Sequence, residues 1–266
     1  MVINDFLAAD MRKQMQADGY DLLDEFHAAS KVGARFIGWD HTGYDFSSRS
    51  EAHDFKIANV KRRNGMAPLL LPEPSLVDAR LDDLRTRRKS TRRFRRSSVC
   101  LRNLGTLLNH GYGFATDDRR SVPSGGGVYP LELYVIALNV TGLPTGTYHY
   151  LPHEHALERC GSDDSQPTLA QALDGAFDEG QAGFPAFHIV VTAAFIRNVY
   201  KYGLRGYRLC LLEAGHVVHA IILASLALDL GSLPNLNFYD ASMDRFLDID
   251  GVTESVLYMC SVGESE

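Results

Sequence analysis

The chain lacks most features that would tie it to a metal, a dithiol, a bilayer or a nucleic acid. Its four cysteines, Cys100, Cys160, Cys210 and Cys260, stand far apart with no Cys-x-x-Cys pair, which excludes a zinc knuckle or a thioredoxin-like dithiol. No signal peptide opens it, because the apolar start at residues 1–7 is short and interrupted by Asp5; the expected compartment is therefore the cytoplasm. The most apolar run, residues 217–230, is too short for a bilayer and holds His219 and Asp229, so it reads as a buried helix. A net charge of −6 argues against nucleic acid or an anionic membrane as the main partner. No repeat or low-complexity segment is present.

What is there is the composition of a globular protein: 45% hydrophobic and 23% charged residues, enough over this length to bury a sizeable core. Residues 1–74 read as an N-terminal arm, with a polar helix near 10–30 and then irregular, aromatic-dotted sequence. Leu69-Leu70-Leu71-Pro72-Glu73-Pro74-Ser75 reads as a linker, since each proline biases its predecessor out of the helical region. Residues 75–266 read as the folded domain. Ser75 is placed to cap a helix over 76–88, and a second helix over 101–111 ends at glycine. Buried strands are expected over 131–140 and 187–195, a hairpin over 146–151 and 156–159, and a closing strand over 255–262. A long helix runs from about Lys201 to Leu230. Strands and helices mix without strict alternation, which predicts an α+β fold with a mostly antiparallel sheet flanked by helices.

Three segments carry chemistry. In Arg88-Lys89-Ser90-Thr91-Arg92 the two arginines are four apart, which on a helical turn puts both guanidinium groups on one face, suited to a phosphate. Pro123-Ser124-Gly125-Gly126-Gly127-Val128-Tyr129-Pro130-Leu131-Glu132 strips side chains from a loop on which a flat ligand can lie. It is neither a dinucleotide fingerprint nor a Walker loop. Lys201-Tyr202-Gly203-Leu204-Arg205-Gly206-Tyr207-Arg208 sets two proton-active groups beside cationic anchors, with Lys201 able to act as a base.

Taken in order, these segments, with Leu211-Leu212-Glu213-Ala214-Gly215-His216, resemble the nitroreductase-like flavoprotein superfamily. Within it they are most similar to the SagB-type dehydrogenases, the azoline oxidases of thiazole/oxazole peptide biosynthesis. The resemblance covers roughly residues 76–263, with a looser echo at Phe26-His27-Ala28-Ala29-Ser30-Lys31. It implies a nitroreductase-like sandwich forming a homodimer, with FMN at the subunit interface. Arg88, Lys89, Ser90 and Arg92 match the flavin phosphate and pyrimidine motif, Pro123 and Ser124 to Tyr129 the loop along the isoalloxazine, and Lys201 and Tyr202 the catalytic pair. The implied reaction removes two hydrogens from a thiazoline or oxazoline on a peptide-derived or carrier-bound substrate. The base takes a ring proton, hydride goes to the flavin, and oxygen reoxidises it.

Leu236-Asn237-Phe238 stands where relatives carry a Gly-Gly-Phe-like turn near the flavin, and asparagine tolerates left-handed backbone angles. His219-Ala220 replaces a Gln-Asn, and Gly263-Glu264-Ser265-Glu266 stands in place of a basic tail. Arg88, Arg92 and either Arg205 or Arg208 are then expected to neutralise the phosphate. No metal is expected: Glu213-x-x-His216 is a single pair where a di-iron bundle needs two, and His149, His153 and His155 read as solvated turn residues. Two other readings stay open. One is a nitro- or ene-reductase fed by a nicotinamide cofactor; the other is a non-catalytic scaffold among the partner proteins of a biosynthetic complex.

Overall fold

The computed structural model describes residues 21–31, 61–62, 67–116, 119–160, 168–173 and 184–266. The first half of the expected arm helix and the aromatics between Phe36 and Phe55 lie outside these. The helices are α1 (Asp21–Ala29), α2 (Leu81–Arg87), α3 (Leu101–Tyr112), α4 (Leu169–Ala172), α5 (Ile196–Tyr202), α6 (Leu204–Ala227) and α7 (Asp240–Phe246). The strands are β1 (Leu69–Leu70), β2 (Val99–Cys100), β3 (Phe114–Thr116), β4 (Arg119–Arg120), β5 (Leu131–Ala137), β6 (Val140–Thr141), β7 (Gly146–Leu151), β8 (Ala156–Arg159), β9 (Phe187–Ala194), β10 (Gly231–Asn235) and β11 (Glu254–Gly263).

One seven-stranded sheet in the order β1-β8-β7-β5-β9-β11-β10 organises the domain, and every pairing within it is antiparallel. Its centre is built from strands buried on both faces, which is why β5 reads as a nearly continuous apolar run. Leu131, Leu133 and Val135 face one core with α3 and α6, whereas Tyr134 and Ile136, one residue out of phase, face a second with Met243 of α7 and Ala172 of α4. The result is the expected α+β sandwich.

Helix α6 passes the length and composition test for a membrane span, with 56% of its apolar window buried inside the protein. Cys210, Ala214, Val217, Val218 and Ile221 point into the first core, so burial against the sheet accounts for its apolarity. A close crossing with α3 is set by Gly111, where a Cβ would lie 2.7 Å from Ile221 Cγ1.

Three boundaries depart from expectation. The linker starts as an edge strand, Leu69 and Leu70 pairing with Leu157 and Ala156, because its three leucines precede the first proline. Ser75 does not cap a helix; its N–H bonds Thr106 Oγ1, and α2 begins only at Leu81 with Arg80 at the cap position. The long helix is two helices: Gly203, at φ 55° and ψ −146°, breaks the run, so Lys201 and Tyr202 close α5 instead of opening α6.

Candidate active site

The glycine loop makes a short 3-10 turn over Gly125–Gly127 in which Gly126 takes φ 65°. A side chain is excluded there by neighbours as well as by angle. A Cβ on Gly126 would overlap the Tyr202 hydroxyl and lie 3.1 Å from Lys201 Nζ, while one on Gly125 would lie 2.9 Å from Leu209 Cδ1. Two segments some seventy residues apart in sequence are thus folded against each other, because the break at Gly203 swings the end of α5 over the loop. Burial pushes the Tyr202 phenol above its ordinary value, so the hydroxyl stays protonated near neutrality and acts as a donor.

Four elements hold the loop from behind. Tyr129 sits at φ 54°, a left-handed backbone that costs an L-residue about 1–2 kcal/mol, and it is clamped on every side. Its N–H donates to Ser124 Oγ at 2.8 Å, and its hydroxyl accepts the Arg120 N–H at 3.2 Å. Its carbonyl accepts from Arg197 Nη1 at 3.5 Å, and the Arg120 guanidinium lies 4.7 Å from its ring centre. Arg197 is anchored by Glu132 Oε1 at 2.6 Å, and Glu132 also binds His149 Nε2 at 2.8 Å. Burial raises the Glu132 carboxyl, but His149 and Arg197 outweigh it and hold the group below its ordinary value.

Beneath the loop lies Glu213, 2% exposed. Its Oε1 accepts the Tyr112 hydroxyl at 2.8 Å, and Tyr112 in turn accepts the Leu131 N–H at 3.1 Å. The Ser124 hydroxyl and the Gly125 N–H bear on the carboxyl, yet Oε2 has no well-aligned partner. Burial pushes this carboxyl up to about 7, against the lowering by Ser124, Tyr112, Arg120 and the Gly125 N–H. A carboxyl raised from 4.5 to about 7 gives stability that is complete below pH 4.5 and is lost as pH rises through 7, on the order of 3 kcal/mol. Glu213→Gln keeps an acceptor for Tyr112 without the charge. Its expected melting temperature exceeds that of the unmodified protein at pH 8 and matches it at pH 4.5; an equal difference at both pH values would rule out ionisation as the cause.

The other expected site residues fall elsewhere. Arg88 ends α2 in an extended conformation, so Arg88 and Arg92 do not share a helical face. Arg88, Lys89 and Arg92 are exposed and Ser90 is half-buried. Their segment is pinned at the far end of α6, where Arg87 Nη2 donates to Leu226 O at 3.0 Å and the Thr91 N–H to Ser232 O at 2.9 Å. From Leu209, under the glycine loop, to Leu226 is about 25 Å of helix. One chain therefore does not bring the basic segment and the loop together. Leu236 and Asn237 are exposed after β10, and Asn237 does not take the left-handed backbone expected of it. Arg208 turns to α1, donating to His27 O at 2.9 Å, while Phe26 meets Tyr207 edge-on at 5.5 Å. Arg205 is half-buried, with Nε unpaired.

Tyr112, Arg120, Arg197 and Glu213 were not assigned to the site from sequence. Glu213 alone left a signal, a carboxylate three residues after Cys210 and four before Val217 on the apolar face. The turn histidines also differ from expectation: His149 is 1% exposed between strands, and His155 lies 3.2 Å from Pro72 O, because β1 pairs with β8 and the residues that follow β1 pass over the turn of the hairpin.

Residues 86–264 match the nitroreductase family. The chain belongs to that family, an oxidoreductase class. A Methanocaldococcus jannaschii protein that carries the nitroreductase name is 33% identical over 178 residues, 66% of this chain and 88% of its own length. The microcin B17-processing protein McbC of Escherichia coli is 31% identical over 177 residues, 64% of each chain. The trifolitoxin-processing protein TfxB of Rhizobium leguminosarum bv. trifolii is 26% identical over 52% of this chain and 38% of its own. The matched stretch thus spans less than two thirds of either processing protein. Among solved structures, the E. coli microcin synthetase McbBCD complex with truncated pro-MccB17 bound aligns with TM-score 0.62 at 23% identity over 92% of both chains. A nitroreductase-named structure from Ralstonia eutropha aligns with TM-score 0.62 at 20% identity over 78% of this chain and 98% of its own. Both show the nitroreductase fold.

Proposed function

We propose that the chain is an FMN-dependent dehydrogenase that oxidises an azoline, thiazoline or oxazoline, on a peptide-derived or carrier-bound substrate, with oxygen as final acceptor. The observation that carries this reading is the meeting of Lys201 and Tyr202 with Gly126, which sets a proton-handling pair directly against a loop of three glycines. The relatives named for processing microcin B17 and trifolitoxin support the substrate class.

The residues fit a flavin when two copies contribute. The glycine loop, packed against Leu209 and Tyr202, carries no side chains of its own over residues 125–127 to obstruct a flat ring, and the basic segment offers guanidinium groups for a phosphate, but the length of α6 separates them. Along α6, Leu204, Leu211 and Leu212 are exposed apolar residues, and a Cβ on Gly215 would meet nothing within 4 Å. Two α6 helices packed antiparallel would bury this stripe and bring Arg88, Lys89, Ser90 and Arg92 of one copy to Ser124–Tyr129 of the other. Bound FMN would supply the hydride acceptor. Lys201 takes the proton leaving the azoline ring carbon, and the Tyr202 hydroxyl donates a hydrogen bond that orients the ring.

The test is the visible spectrum of the purified protein, identification of the released cofactor, and incubation with a thiazoline-containing peptide in air. Near-stoichiometric FMN and loss of two mass units from the peptide are expected. A colourless protein that takes up no FMN would overturn the enzyme reading and favour a scaffold. The M. jannaschii relative favours a second reading, a nicotinamide-fed nitro- or ene-reductase; rapid flavin bleaching by NADPH without azoline oxidation would establish it.

A further inference from the structure

The position of Glu213 carries a consequence for how the loop meets its cofactor. Its carboxyl is faced by Tyr112 of α3, Arg120 of β4, Ser124 and Gly125 of the loop, and Cys210 one turn back on α6. One oxygen is anchored on Tyr112, whereas Oε2 is buried and unpaired on the loop side. Ser124 accepts the Tyr129 N–H, which leaves its hydroxyl proton free to turn toward the carboxyl. A neutral carboxyl tolerates this arrangement, because its own proton can be given to Ser124. An ionised one is poorly served: a buried carboxylate oxygen without a well-aligned donor is costly, and the Ser124 hydroxyl and the Gly125 N–H bear on it without good alignment. Ionisation therefore draws the loop inward, onto Glu213 and away from any ligand above it. Arg120 offsets this charge only in part, since its guanidinium is spread over the Tyr112 and Tyr129 rings at 4.3 and 4.7 Å.

Resting on the flavin reading, we propose that Glu213 is a positioning residue whose carboxyl must be protonated for the glycine loop to receive the flavin, so that flavin binding takes up a proton there. Neither Lys201 nor Tyr202 is the group concerned: Glu213 bears on Ser124 and Gly125, whereas Lys201 and Tyr202 meet Gly126.

The experiment is calorimetric titration of the flavin-stripped full-length protein with FMN at pH 7.5, in buffers of different ionisation enthalpy, for the unmodified chain and for Glu213→Gln. At this pH the flavin phosphate is already dianionic and adds no proton of its own. The unmodified chain is expected to take up roughly half a proton or more per FMN, and its affinity to fall about tenfold between pH 7 and 8.5. Glu213→Gln is expected to take up none and to keep one affinity across that range. FMN binding without proton uptake, or uptake that persists in Glu213→Gln, would overturn the role of Glu213 while leaving the flavin enzyme intact. A folded protein that binds no FMN at any pH would take both readings down together. A purely structural role would alter the melting temperature of Glu213→Gln without touching the proton count.

Discussion

Lys201→Ala is expected to lower azoline oxidation by about 10²- to 10⁴-fold, the usual worth of a positioned general base, while FMN stays bound. The geometry separates the two members of the pair. Burial holds the Tyr202 phenol above its ordinary value, so at neutral pH it is a hydrogen-bond donor, and the base role is the one proposed for Lys201. Tyr202→Phe keeps the ring against the loop and removes only the hydroxyl, so a smaller loss is expected from it. The measurement is single-turnover conversion of a thiazoline peptide by each variant, with bound flavin quantified in the same sample. Full activity in flavin-loaded Lys201→Ala would remove the base assignment; loss of flavin together with activity would turn Lys201 into a cofactor ligand.

What the sequence revealed depended on whether a feature was local. Strands β5, β7, β8, β9 and β11 were legible to within a few residues because strands buried on both faces are short apolar runs bounded by turn residues. The break between α5 and α6 was not, because Gly203 lies inside a run that is otherwise helical, and one glycine there is commonly tolerated. Its conformation, φ 55° with no neighbour within 4 Å of a Cβ, is a backbone property with no compositional trace. The Lys201-Tyr202 pair and the glycine loop were both found by motif, but their contact is a tertiary fact. The braces on Tyr129 left almost nothing to read: Arg120 lies in a two-residue strand and Arg197 in the first turn of a short helix. Their partners come from β5 and the loop. Glu213 was visible as a carboxylate on an apolar helix face, yet only the structure shows it turned beneath the loop and away from His216 and His219.

The basic segment shows the opposite limit. Residues 88–92 were read as a cationic segment suited to a phosphate, but the helical spacing assigned to Arg88 and Arg92 fails because α2 ends at Arg87. Here Thr91 and Phe94 turn inward while Arg92, Arg93 and Arg95 face out. The strand-like course is fixed by pairing with the C-terminal residues, Phe94 bridging to Ser265 and the Arg95 N–H bonding Glu264 O at 2.9 Å. Main-chain bonds beyond the reach of spacing rules thus decide which cations are available to a phosphate.

Gly126→Ala is the most informative single substitution at the site. It combines two penalties, a left-handed backbone at φ 65°, worth about 1–2 kcal/mol, and a methyl group set onto the Tyr202 hydroxyl. The loop can relieve the clash only by lifting toward the space proposed for the flavin or by pushing Tyr202 and Lys201 outward. A misplacement of about 1 Å at a reacting centre costs on the order of 10²-fold in rate, so flavin content and turnover are both expected to fall steeply. Gly203→Ala supplies the control, since it has a positive φ of 55° with empty space around the added carbon: it carries backbone strain without the clash. The double variant Gly126→Ala/Tyr202→Phe removes the overlapping hydroxyl and leaves the tyrosine Cζ position 3.1 Å from the new methyl, a gap that needs only a small shift. Flavin binding is therefore expected to recover in the double variant while turnover does not, a non-additivity that two independent sites could not produce. Flavin binding unchanged in Gly126→Ala would place the cofactor away from this loop, and equal losses in Gly203→Ala would reduce the effect to backbone strain.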